Sequence, residues 1–167
     1  MGSVLPLHAA ELFGVVLQDA KRDQLRNALK NSGVELIREG GEGIFFDVYD
    51  SQQAMAGSQQ LYLGFVKQDQ TFAFAEYAFK GRKQSLLLQK LIARYGEPQQ
   101  KPGKFLSDHA YFWQSGPITI ELYNDWHNYQ TRLTYFAADK LDQLRREQSD
   151  YRKQLSLQNV DFADQAY

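Results

Sequence analysis

Apolar residues recur at helical spacing in two segments of the chain. In the first, Leu25 and Leu29 lie on one stripe of a segment that ends at Gly33, a residue suited to the position after a helix. The second segment covers residues 85–95, has a broader apolar face and is followed by Gly96. The pattern therefore predicts two short amphipathic helices, each followed by a glycine.

Outside these helices the hydrophobic period changes to two, which is typical of strands. Residues 12–17 form a continuous apolar run of strand length, whereas residues 97–104 predict a loop. Within residues 71–80 the large side chains change face after Phe74, which predicts a β-bulge or burial on both faces. The strand-like segments behind the first run are residues 44–50, 61–67, 71–80, 110–114, 117–123 and 131–137.

The order of elements repeats, because each half of the chain reads as one helix followed by three strands. Such a unit leaves an apolar face uncovered, and two units side by side cover both faces. We therefore predict an α+β fold, with one antiparallel sheet of two αβββ repeats backed by helices and a charged C-terminal helix. The predicted segments are an N-terminal piece (1–10), a first half with an extra leading strand (11–81), a second half (82–138), the charged helix (139–156) and a tail (157–167).

This tandem order, with a glycine after each helix, resembles the β-lactamase-inhibitor-protein-like fold. Outer-membrane assembly lipoproteins of the SmpA/OmlA type carry a single related unit. The resemblance covers roughly Leu12 to Ala138 and implies an exported protein that binds another protein through its sheet. The chain departs from both groups because it has no cysteine for a disulfide or an acyl anchor, so no functional residue carries over.

The N-terminal stretch offers a prediction about localisation. Residues 4–14 read "VLPLHAAELFG", an apolar run followed by small residues and then a strand. This pattern is typical of the end of a secretory signal with its cleavage region, and the alternative is an ordinary frayed terminus. We expect a periplasmic or secreted protein, and otherwise a cytoplasmic one.

Composition excludes several classes of function. The net charge is −1, so no strong field attracts nucleic acid or anionic membrane. The absence of cysteine excludes disulfides, thiolate zinc sites and thiol catalysis. No stretch approaches the roughly 20 apolar residues of a transmembrane helix. We expect no cofactor.

Candidate catalytic and metal-binding residues are few. His109 and His127, with Asp125, would suit a metal ion if the fold brought them to the same end of the sheet, which the pattern does not decide. Asp47, Glu76 and Glu121 lie within strands, and two of them would serve as acid and base if they faced each other. The alternative is that strand carboxylates point to water and pair with basic neighbours such as Arg132 or Lys67. We assign no catalytic residue and no metal ligand.

The sheet face away from the helices is the candidate binding surface. If Ile44, Phe46 and Val48 face the helices, their neighbours face outward, and the same alternation holds in later strands. Aromatic rings mixed with hydroxyls and a few charges are typical of protein interfaces, and the alternative is burial on both faces or aromatic ladders. The predicted binding residues are Phe45, Asp47, Tyr49, Tyr62, Glu121 and Tyr123.

The C-terminal helix places Leu141, Leu144, Tyr151 and Leu155 near heptad spacing. This stripe predicts either a homodimer seam or packing on the helix's own domain.

The hypothesis that these patterns favour is a non-enzymatic protein that recognises a protein or an envelope component through its sheet. A competing hypothesis is a small hydrolase or ligand-binding protein with a site between the halves, using Glu76, Glu121 or His109.

Overall fold

The computed structural model describes residues 8–41, 43, 45–102 and 109–165, with side chains as far as residue 158. The described residues form three helices and ten strands. The helices are α1 (Arg22–Asn31), α2 (Gln84–Tyr95) and α3 (Ala138–Gln165). The strands are β1 (Glu11–Leu12), β2 (Val15–Val16), β3 (Glu35–Arg38), β4 (Phe46–Asp50), β5 (Ser58–Phe65), β6 (Phe72–Lys80), β7 (Gln99–Pro102), β8 (His109–Ser115), β9 (Ile118–Asp125) and β10 (Gln130–Ala137).

Eight strands form one antiparallel sheet in the order β3-β4-β5-β6-β10-β9-β8-β7. Each half of the chain supplies a meander, and the two meanders meet where β6 pairs with β10. The predicted α+β class, the antiparallel sheet and the C-terminal helix are confirmed. Each half holds one more short edge strand than the three predicted, and β7 lies within residues 97–104, where a loop was expected.

Helices α1 and α2 pack on the same side of the sheet. Their buried leucines, two from each helix, join side chains of β5, β6, β9 and β10 in one core. Complete burial of a leucine stabilises the fold by about 2 kcal/mol, so these four positions anchor the helices to the sheet. The leucines are Leu25, Leu29, Leu87 and Leu91.

A bulge in β6 determines which of its side chains face the helices. Gly64 of β5 has Phe74 of β6 as its Cα partner, whereas the next residue, Phe65, has Phe72. The register between the two strands therefore shifts at this point. Phe72 therefore lies in the helix-backed core while Phe74 lies on the other face, so the change of face comes before Phe74 and not after it as the sequence pattern predicted. The Phe74 ring lies over Gly64, where a Cβ would be 2.1 Å from a ring carbon, so only glycine fits there.

Two terminal regions differ from the prediction. Residues 12–17 form a tight hairpin, not one strand, because Phe13 and Gly14 both adopt positive φ between β1 and β2. Residues 157–165 continue α3, where a loose tail was expected. Ala10, assigned to the N-terminal piece, is buried and donates its N–H to Ser115 Oγ at 3.0 Å. Residues 1–7 lie outside the described part of the chain.

The first half of α3 packs against its own chain. Leu144 is 1% exposed in a small core with Val66 and Ala73. Farther along, Leu155 is 41% exposed, so the homodimer seam stays a prediction for the outer half of the helix. Among the described residues, none of the helices combines the length and hydrophobicity that a membrane crossing requires.

Candidate functional site

The side of the sheet opposite α1 and α2 is here called the open face; α3 covers its end around Phe74, and the rest carries two rows of side chains paired across the strands. Three of the six predicted binding residues lie in these rows, namely Tyr62, Glu121 and Tyr123. All three are partly buried. The first row reads Val48, Tyr62, Glu76, Thr134, Glu121 and Phe112, and the second reads Gln60, Ala78, Arg132 and Tyr123.

The predicted orientation of β4 was wrong. Asp47 and Tyr49 pair with Leu63 and Leu61, point toward α1 and are 1% and 2% exposed. Val48 lies on the open face instead. The hydrophobic pattern predicts apolar side chains at the inward positions of β4. Asp47 occupies such a position because basic side chains of α1 neutralise its charge.

Asp47 accepts hydrogen bonds from α1 and from the β3–β4 connection. Arg22 donates Nε to Oδ2 at 3.0 Å and Nη2 to Oδ1 at 2.6 Å, a two-pronged geometry. The Gly40 N–H donates to Oδ1 at 2.7 Å, and Arg26 Nη2 lies 3.4 Å from Oδ2. Burial alone would raise the pKa of Asp47, but Arg22, Gly40 and Arg26 hold it below its ordinary value. This carboxylate holds β4 to α1 and is not available to a partner.

Phe45 is not part of the two rows of the open face and is covered by α3. Its ring meets Tyr151 of α3 edge to face, with the ring centroids 5.8 Å apart. It packs beside the small core around Leu144. Phe45 therefore helps to hold α3 to the sheet.

An ion-pair network lies at the centre of the open face. Arg132 pairs with Glu76 through Nη1 and with Asp125 through Nε, the latter at 3.0 Å. Thr134 donates its hydroxyl to Glu76 at 3.1 Å. Asn128 and Arg132 lower the pKa of Asp125 by hydrogen bonding. The alternative in which strand carboxylates pair with Arg132 is therefore correct for Glu76.

Glu121 differs from these carboxylates. Among the described residues, none forms an ion pair with it within 4.0 Å. Burial raises the pKa of Glu121, Lys101 opposes that shift, and the negative charge of Glu76 adds to it. Within the described part of the chain, Glu121 is thus a partly buried carboxylate on the open face whose charge no ion pair compensates at short range.

Aromatic rings flank Glu121 along and across the strands. Phe112 is its Cα partner on β8, and Lys101 Nζ lies 4.7 Å from the centroid of that ring. Tyr123 follows two residues later on the same face, and burial, with the charge of Glu76, raises its pKa to about 12. The phenol of Tyr123 therefore stays protonated at neutral pH and is able to donate a hydrogen bond.

Among the described residues, His109 and His127 form no metal centre with Asp125. Pairing of β8 with β9 places His109 at the end of the sheet where Asp125 and the exposed His127 lie. The sequence pattern had not decided whether these three residues share one end of the sheet. Within residues 8–41, 43, 45–102 and 109–165, no group of three or more metal-ligating side chains is close enough to hold an ion.

Two cavities lie away from the open face. One, of about 690 Å³, lies on the helix side of the sheet, between α2 and the β1–β2 hairpin. The other, of about 590 Å³, lies beside Asp47 and α3. Glu76, Glu121 and His109 line neither of them. Neither of these two cavities therefore contains the residues named for the competing hypothesis of a hydrolase or ligand-binding protein with a site between the halves.

Comparison with known proteins finds no matching family model and no matching curated protein. Among solved structures, the chain is similar to the crystal structure of YjgB, a DUF4309 family protein from Bacillus subtilis. The two share 15% sequence identity, the match covers 74% of this chain and 82% of YjgB, and the TM-score is 0.45. The likeness is too distant to carry an argument about this chain.

Sequence reasoning missed Phe112 and Lys101 as members of the candidate site. Lys101 was assigned to a loop because β7 has no hydrophobic alternation. Phe112 was recognisable from its strand, since it occupies the alternate position between Tyr111 and Trp113. What the sequence did not reveal was that β8 pairs with β9 in the register that brings Phe112 to Glu121.

Proposed function

We propose that this chain is a non-enzymatic binding protein that captures a protein partner through the open face. The partner presents an arginine or lysine side chain to Glu121. The observation that carries this proposal is the partly buried Glu121 carboxylate, which forms no close ion pair with the described residues.

Charge and aromatic surface favour a basic side chain as the bound group. A carboxylate that is partly removed from water is stabilised when a guanidinium or ammonium group binds to it. Phe112 and Tyr123 offer rings beside that position, and cations are attracted to aromatic faces. Lys101 lies over the Phe112 ring with an exposed side chain, so a partner's cation that binds at this ring displaces it.

Glu76 has a different role in this arrangement. Its carboxylate is held by Arg132 and Thr134, so it shapes the face and repels a second anion. A hydrolase built on Glu76 and Glu121 would need a cleft that places substrate between them, and neither residue lines a described cavity. Binding is therefore better supported than catalysis. The proposed setting is the periplasm or the extracellular space, which rests on the N-terminal sequence pattern alone.

Affinity capture with matched variants tests the proposal. The immobilised chain is exposed to envelope extract of its native host, and retained proteins are identified by mass spectrometry. We expect one specific partner to be retained by the unchanged chain and by Glu97→Gln, which removes an exposed carboxylate outside the sheet face. The same partner should be lost from Glu121→Gln and from Tyr123→Ala, while all variants keep the far-ultraviolet circular dichroism of the original.

Chemical identity of the bound group is tested next. Peptides that span the partner's binding segment are compared with the same peptides carrying citrulline for arginine or norleucine for lysine. One neutral replacement should weaken binding by at least about tenfold, because a charge-assisted hydrogen bond contributes about 1.5–3 kcal/mol. Retention of the partner by Glu121→Gln, or indifference to every neutral replacement, would show that the open face does not bind in this way.

A further inference from the structure

The 690 Å³ cavity on the helix side of the sheet has an apolar and aromatic floor. Four buried side chains of β6 and β10 form this floor, and the buried Leu87 and Leu91 of α2 form one wall. A volume of a few hundred Å³ with an apolar lining and a few polar groups is characteristic of small-molecule sites. The floor residues are Tyr77, Phe79, Leu133 and Tyr135.

The opposite wall is the β1–β2 hairpin. Phe13 lines the cavity and has φ of 52°, a conformation that bulky residues rarely adopt. The hairpin is held in place by its neighbours, since the Leu17 N–H donates to the Ala10 carbonyl and Ala10 is tied to Ser115. The strained turn therefore keeps an aromatic ring against the cavity.

The rim of the cavity is positively charged. Lys83, Lys90 and Arg94 line it from the α2 side, and Glu11 lines it from the hairpin. Arg94 is paired with Glu11 at 3.1 Å. Lys83 and Lys90 form no ion pair with any described residue, so the mouth carries two uncompensated ammonium groups on a chain whose net charge is −1.

We propose that this cavity binds a small amphipathic carboxylate, with its apolar body on the aromatic floor and its carboxylate at Lys83 and Lys90. An apolar chain gains from burial against the floor, and the two ammonium groups select an anionic head over a neutral or cationic one. The cavity lies on the opposite side of the sheet from Glu121. Failure of this proposal would therefore leave the proposed partner binding untouched, and the reverse also holds.

Titration of the 167-residue chain with three amphiphiles of equal chain length tests the charge selectivity. The probes are dodecanoate and dodecyltrimethylammonium below their micelle concentrations, and dodecanol below its solubility limit. Binding is followed by isothermal titration calorimetry and by the melting temperature. We expect dodecanoate to bind with one site and to raise the melting temperature, as a ligand specific for the folded state must. Dodecanol should bind about fivefold more weakly, the expected effect of losing two solvent-screened ion pairs, and the cation more weakly still.

Variants locate the site. Ala93→Trp places a large side chain on a lining position and should weaken dodecanoate binding by at least about tenfold, as expected when a ligand's pocket is filled. Gln89→Trp, at an exposed α2 position that does not line the cavity, should have no effect. The double variant Lys83→Gln/Lys90→Gln should remove the preference for dodecanoate over dodecanol, whereas Lys30→Gln on α1 should keep it.

Three results would overturn the proposal. They are equal binding of all three amphiphiles, undiminished binding by Ala93→Trp, and unchanged selectivity in the lysine double variant. Unfolding of Ala93→Trp would be visible in its melting temperature without ligand. In that case, the selectivity of the lysine double variant for dodecanoate over dodecanol would decide whether the proposal holds.

Discussion

Asp47 on β4 and Glu121 on β9 are strand carboxylates from the two halves of the sheet, and they lie on opposite faces. Asp47 is buried and receives donors from Arg22, Arg26 and the Gly40 backbone. Glu121 is partly buried, and no described residue pairs with it at close range. The pKa of the first is lowered and that of the second is raised.

The difference separates a structural carboxylate from a binding one. A buried charge that is fully hydrogen-bonded holds the elements that supply its donors, here β4 and α1. A partly buried charge without a partner destabilises the free protein slightly and becomes useful only when a counter-charge arrives. Substitutions and pH changes that act on one carboxylate at a time test whether their roles differ.

Removal of the Asp47 charge should have the largest effect on stability. Asp47→Asn leaves the Arg22 guanidinium partly buried beside an amide, and we expect the free energy of unfolding to fall by about 3 kcal/mol. Urea denaturation followed by circular dichroism measures this. Asp23→Asn, an exposed position in the first turn of α1, is the control and should change the value by less than about 0.5 kcal/mol. A loss below about 1 kcal/mol for Asp47→Asn would show that Asp47 does not have this structural role.

Removal of Arg132 should have an intermediate effect. The side chains of Arg132, Glu76 and Asp125 are each about one-fifth exposed, so solvent screens their pairing in part. We expect Arg132→Ala to lower the free energy of unfolding by about 1–2 kcal/mol. The same urea experiment measures this loss of stability. A loss as large as that of Asp47→Asn would mean that the Arg132 network on the open face stabilises the fold as much as Asp47 does on the other face.

Acid should act on the two carboxylates in opposite directions. The lowered pKa of Asp47 gives stability that is present above the unfolded value of about 4 and is lost as pH falls through the folded pKa. The raised pKa of Glu121 means that stability increases as pH falls through the folded pKa toward the unfolded value. Urea midpoints measured between about pH 7 and pH 3 should show that Asp47→Asn reduces the acid loss, to which Asp125 also contributes, and that Glu121→Gln removes the increase that Glu121 supplies. Identical pH profiles for both variants would contradict the assignment.

Neutralisation of Glu121 should have the smallest effect on stability, and of opposite sign. Because Glu121→Gln removes a poorly compensated charge, we expect the free energy of unfolding at neutral pH to rise by up to about 0.5 kcal/mol. Differential scanning calorimetry against the unchanged chain measures this increase. A marked decrease would show that Glu121 contributes to folding.

Much of the fold followed from the sequence, because α2, β9 and β10 show clear periods and glycines end α1 and α2. The faces of β4 did not, since Arg22 pairs with Asp47 from 25 positions away and no local pattern reveals that contact. The strand β7 was missed for a related reason. Its residues are polar and exposed, and only pairing with β8 makes them a strand.

The candidate site was predicted in part for the same physical reason. Tyr62, Glu121 and Tyr123 lie in strands whose alternation is regular, so their shared face was readable from the sequence. The network around Arg132 needed the register of β6 against β10, which depends on contacts across the sheet.

The most direct test of the central claim is the dissociation constant of the captured partner, measured by calorimetry with the unchanged chain and with Glu121→Gln at equal salt. If Glu121 is the binding carboxylate, the variant binds at least about tenfold more weakly while its free energy of unfolding is equal or higher. Equal affinity of the two chains, or a loss of affinity that accompanies unfolding, would contradict the account.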